Sequence, residues 1–160
     1  MLLIWNAHMS SLMYVCAVFL CATLYSLVFE YVVHKYILHN HKYFKSAFKN
    51  HFGTHHKTSR KSQMYDAGYE TIVGSKFEMI SLTIVSIIHL PIIFFSTLAY
   101  FTLMANLVHY YYIHRKSHID VNWGRANLPW HYAHHMGKNQ NMNWGVRSPM
   151  FDKLLRTSSY

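Results

Sequence analysis

The sequence predicts an all-α integral membrane protein, with one leading transmembrane helix, a helical hairpin and a cytoplasmic, histidine-rich helical cap. Three observations carry that expectation. Charged residues are absent from Met1 to Phe29 and again from Met79 to His114, and uncharged runs of this length match bilayer spans. All 15 Lys and Arg fall in the two flanking blocks, between Lys35 and Lys76 and between Arg115 and Arg156. Ten of the 14 histidines stand in four short clusters within or at the edge of those blocks.

Composition narrows the class. A chain of 160 residues suits one domain, so residues 1–160 read as a single membrane-embedded unit. Hydrophobic residues make up 52% and charged residues only 13%, well below the share usual in a soluble domain. The net charge of +9 could suggest a nucleic-acid partner, but no basic recognition motif occurs. The Lys and Arg flank apolar spans instead, as they do on the cytoplasmic face of a membrane beside anionic head groups. Cys16 and Cys21 both lie inside the first apolar run and form no disulfide framework.

The elements follow in order. Residues 2–29 suit one tilted span, too long for a signal-peptide core and without a basic segment before it. Residues 30–77 form the first polar block. The second apolar run, 79–114, would measure roughly 54 Å as one straight helix, against a hydrocarbon core of about 30 Å. Two short helices turning back near Pro91 to Thr97 fit better, and basic residues on both flanks favour an even number of crossings. Both polar blocks, 30–77 and 115–160, then share one side of the membrane. The tail SPMFDKLLRT reads as a capped helix lying on the membrane, and Trp123, Trp130 and Trp144 read as interfacial anchors. His8, His41 and His89 read as interfacial, surface and span-packing residues.

The four clusters are His34 with His39; His51, His55 and His56; His114 with His118; and His131, His134 and His135. Residues three or four apart share a helical face, so 51/55, 114/118 and 131/134/135 can each converge on a metal. Residues five apart point about 140° away from each other on a straight helix. His34 and His39 therefore serve different metals, or the helix ends or bulges between them. Ten histidines exceed what one ion holds, so two metals are the economical reading. Imidazole suits zinc, copper, iron or nickel. No Glu-x-x-His carboxylate bundle, no H-E-x-x-H motif and no cysteine cluster is present, which excludes three common metal-site types. Two non-oxygenase classes remain in competition: a zinc or copper binding or transport protein, whose ligands belong inside the spans, and a bis-histidine haem protein.

In order, HKYILH, HFGTHH, HRKSH and WHYAHH resemble the histidine boxes of the fatty acid hydroxylase and sterol desaturase superfamily. EYVVHKYILH is similar to that family's approach to its first box, and NMNWGVRSPMFDKLLRT to the stretch after its last. The resemblance covers about residues 30 to 156. It implies a membrane-bound oxygenase with two iron ions, for which zinc can stand in after overexpression, and O2 as co-substrate. The implied reaction is hydroxylation or desaturation of a lipid C–H bond. Its two electrons come from a separate cytochrome b5 or ferredoxin with its reductase. The implied ligands are His34, His39, His51, His55, His56, His114, His118, His131, His134 and His135. His109 offers an alternative reading of the third box. With Asp120, Asp152 and Glu30, the acids nearest in sequence, it is a candidate for orienting the ligands. The metal site is expected on the cytoplasmic side, of the endoplasmic reticulum in a eukaryote or of the inner membrane in a bacterium.

Overall fold

The computed structural model describes residues 2–160, with side chains from residue 11 onward, so the expectation for His8 lies outside the described side chains. Among the described residues every regular element is helical. The long α1 (Leu2–Val33) continues without a break into a π-helical turn, His34–Leu38. After a short α2 (Lys45–Phe48) a second π-helical segment, Lys49–His56, runs into α3 (Lys57–Lys61). Then come α4 (Lys76–His89), a 3₁₀ segment Leu90–Phe94, α5 (Thr97–Ile119), α6 (Val121–Asn127), α7 (Pro129–Met136) and α8 (Met150–Leu154).

Local chemistry sets the boundaries. The Ser75 hydroxyl caps α4 by accepting from the Glu78 N–H, and Ser96 caps α5 by accepting from the Ala99 N–H. Between them the chain turns, and α5 returns beside α4, since Glu78 at the start of α4 meets His114 near the end of α5. Asp120 ends α5 and opens α6, accepting from the Trp123 N–H at 3.0 Å. Gly124 lets α6 pass against α5, because a Cβ there would stand 2.8 Å from the Ser117 carbonyl oxygen.

Among the described residues, two stretches are long and apolar enough to cross a bilayer: Ser11–Leu38, with mean hydropathy 2.2, and Lys76–Phe94, with 2.0. Only 6% of either apolar window is buried within the molecule, which leaves apolar side chains such as Phe19, Leu20, Ile87 and Ile88 exposed. Such exposed apolar side chains fit a membrane protein. The interior is instead polar: nine of the ten box histidines are buried and the tenth, His39, is half-buried.

Candidate metal centre

The two π-helical segments decide how the histidines meet. A π turn pairs residue i with i+5, and here the His39 N–H donates to the His34 carbonyl at 3.1 Å. Residues five apart therefore stack, and of the alternatives that the spacing of His34 and His39 leaves open, the bulge is the one found. His51 and His56 repeat the arrangement. Facing Nε2 atoms lie 2.9 Å apart between His34 and His51, 3.1 Å between His39 and His56, 3.3 Å between His56 and His51, and 3.2 Å between His134 and His39. These five rings form one group. His55, His114, His118 and His135 form a second, and within each group one nitrogen of each ring lies within 4.8 Å of one nitrogen of every other. His131 stands beside the second group, its Nε2 3.4 Å from that of His118.

Such spacing fits ions. Ligand bonds of about 2.1 Å place neighbouring nitrogens about 3.0 Å apart around an octahedral ion and about 3.4 Å apart around a tetrahedral one. Hydrogen bonding cannot account for the second group, where the Nε2 atoms of His55 and His114 and both ring nitrogens of His135 are buried without a partner. Both groups can hold a metal ion.

In six of the ten rings the second nitrogen has a hydrogen-bond partner, as metal-bound imidazoles commonly do. Nδ1 of His34 donates to the Trp144 carbonyl at 2.5 Å, that of His118 to the Met64 carbonyl at 2.8 Å, and that of His134 to the Met142 carbonyl at 2.7 Å. In these three rings Nδ1 carries the proton and Nε2 keeps its lone pair for an ion. Two carboxylates do the same for the second group: Asp66 meets His55 Nδ1 at 3.0 Å and Glu78 meets His114 Nδ1 at 2.8 Å. Gln140 meets His56 Nδ1 at 2.9 Å. Glu78→Ala is expected to weaken metal retention by the second group about 10- to 100-fold. Chelator competition reads the change, and unchanged retention would contradict a role for Glu78 in orienting the ring.

Burial first, and the neighbouring imidazoles after it, hold the pKa values of His51, His56, His118, His131, His134 and His135 well below the usual range. The rings are therefore neutral at neutral pH, the state that binds metal. The folded chain takes up fewer protons here than the unfolded chain, whose histidines titrate near about 6.5. Metal-free protein should keep its stability above that pH. Below it, stability should fall by about 1.4 kcal/mol per pH unit for each histidine that stays neutral. Melting in detergent between about pH 7.5 and about pH 5 checks this, and a flat Tm across that window would contradict it.

The structure places several of the expected site residues away from the box histidines or in different groups. His51 and His55 do not share a group, nor do His134 and His135, because the π segment and the turn of α7 aim adjacent rings at different centres. His109 is exposed on α5 and hydrogen-bonds no box histidine. Asp120 is an exposed helix cap, not a partner of a ring. Asp152 is buried but accepts from the Trp144 and Gly145 N–H groups, so it acts on the loop that holds His34 and not on a ring. Glu30 pairs with Arg147 at 2.6 Å. Trp144 is no interfacial anchor: it is buried, edge-on to His34 and His39. Asp66 and Glu78, the two acids that do touch the histidines, escaped the sequence reading. The one available signal was Glu78 standing one residue before the second uncharged run.

Fold and site together define a class: an all-helical protein with exposed apolar helices and two buried polyhistidine groups, each able to take a metal ion. The family model described as fatty acid hydroxylase matches residues 18–157, and the chain belongs to that family, within the fatty acid hydroxylase and sterol desaturase superfamily. No curated protein and no solved structure matches it. Family membership implies an oxidoreductase with metal-dependent catalysis, and the two apolar helices fit a membrane protein.

Proposed function

We propose that the chain is a membrane-bound, non-haem di-iron oxygenase that hydroxylates a C–H bond of a fatty-acyl or related lipid. The observation that carries this reading is an apolar cavity of about 370 Å³ between α1, α4 and α5 that ends on the histidine cluster, with His34, His51 and His55 in its wall. His34, His39, His51, His56 and His134 would hold one iron; His55, His114, His118 and His135, with His131 alongside, would hold the other. When bound, the pair supplies activation of O2, with two electrons from a separate cytochrome b5 or ferredoxin and its reductase.

The chain's own residues do the rest. Asp66, Glu78 and the carbonyls of Met64, Met142 and Trp144 keep the rings aimed inward. Phe29, Val33, Leu82 and Leu107 line the cavity with hydrocarbon, which excludes water and packs an alkyl chain against the site. The exposed apolar faces of α1 and α4 sit in the bilayer, with α4 and α5 as the hairpin and the histidine cap on the cytoplasmic side among the Lys and Arg. Abstraction of a second hydrogen in place of oxygen insertion would give a desaturase on the same ligands.

The test is lipid analysis of cells expressing the wild type or His118→Ala under ¹⁸O₂. The wild type is expected to yield a lipid carrying one ¹⁸O atom that the variant lacks. Identical lipid profiles, with iron present in the purified wild type, would sink the oxygenase reading.

A further inference from the structure

The far end of the same cavity is not apolar. About two turns of α1 beyond His34, the Tyr25 hydroxyl meets His89 Nε2 at 2.9 Å, and both residues line the cavity. Counted along the helices, nine residues from Tyr25 to His34 and eleven from Glu78 to His89 set this pair roughly 14–16 Å from the histidine groups. Between the two ends the wall is mainly Phe29, Val33, Leu82, Val85, Leu103 and Leu107. Several other polar groups of that stretch are engaged internally: Arg147 binds Glu30, Asn106 and Ser26, and the Ser81 hydroxyl donates to the Phe77 carbonyl.

The protons of the pair can be assigned. His89 Nδ1 lies 2.8 Å from the Val85 carbonyl, which can only accept, so Nδ1 carries the hydrogen. Nε2 is then the acceptor, and the Tyr25 O–H donates to it. With its hydrogen spent, the Tyr25 oxygen offers the cavity lone pairs and no donor. Phe29 fixes the pair in place, stacked on Tyr25 at 6.0 Å and edge-on to His89 at 5.1 Å. A wall that presents only an acceptor discriminates: it accepts a hydroxyl, gains nothing from a methyl terminus, and repels the lone pairs of a carbonyl.

We infer that the substrate is a lipid carrying a hydroxyl group remote from the carbon that reacts, with that hydroxyl donating to Tyr25 at the end of the cavity away from the histidine groups. The inference rests on the proposed function for which end reacts, but the recognition itself is a matter of binding. The probes are dodecanoic acid, its ω-hydroxy acid and its ω-oxo acid, competing with a fluorescent fatty acid on the metal-loaded, detergent-solubilised protein. The hydroxy acid is expected to bind about tenfold more tightly than the parent acid. Tyr25→Phe should abolish that ratio and leave the parent acid's Kd unchanged. His89→Phe releases the Tyr25 proton and should raise the oxo acid's affinity towards that of the hydroxy acid, a gain that loss of packing alone does not produce. Equal affinities for the three acids in the wild type, or a preference that survives Tyr25→Phe, would overturn the inference. Lipid oxidation with equal affinities sinks this inference alone; hydroxy-acid selectivity without oxidation sinks the catalytic reading alone.

Discussion

Alanine at His134 should remove the metal of one group and alanine at His135 that of the other, although the two residues are neighbours on α7. His134 Nε2 faces His39 at 3.2 Å, while the His135 ring stands 4.7 Å from that of His118 and 4.8 Å from that of His55. Each substitution deletes one inward ligand and leaves the other group's ligands in place. Metal analysis of the purified variants should therefore find one of the two ions retained in each, with lipid oxidation lost in both. The losses should be complementary, because Glu78→Ala should worsen retention in His134→Ala, where only the group that Glu78 supports is left. Loss of both ions from either variant, or of neither, would contradict the division of the ten histidines into two groups.

The second large effect is expected far from any histidine. Glu30 on α1 accepts from Arg147 Nε at 2.6 Å and from the Val146 and Arg147 N–H groups at 2.5 and 3.0 Å. Both side chains are buried. Glu30→Ala leaves the Arg147 guanidinium uncompensated in a low-dielectric interior, at a cost of about 3–5 kcal/mol. The damage should also have a direction. Arg147 ends the loop whose Met142 and Trp144 carbonyls hold His134 and His34, both of the first group, and Asp152 fixes the same loop from its other side. Glu30→Ala should lower Tm and release the first group's ion more readily than the second's. A loss of stability below about 1 kcal/mol, or equal release from both groups, would contradict this account of the loop.

How much of this was legible in the sequence depends on the range of the interaction. The apolar runs and the four clusters are local patterns of hydropathy and spacing, and they could be read directly. The assignment of rings to groups could not, because pairing His51 with His55 takes 3.6 residues per turn where the chain uses a π segment over Lys49–His56. That single change of period pairs His51 with His56 and sends His55 elsewhere. The residues that orient the rings were illegible for another reason: Glu78 reaches His114 across 36 residues and Trp144 reaches His34 across 110, so no local spacing announces them. Trp144 looked like an interfacial aromatic because its type is common there, and its burial comes entirely from the loop that Glu30 and Asp152 hold.

The central claim is that the two histidine groups together hold a pair of irons. Mössbauer spectroscopy with metal analysis, on protein purified from ⁵⁷Fe-fed cells, tests it most directly. The expected result is two coupled irons per chain, falling to a single uncoupled iron in His134→Ala. Zinc or copper alone, persisting after anaerobic reconstitution with ferrous iron, would contradict it.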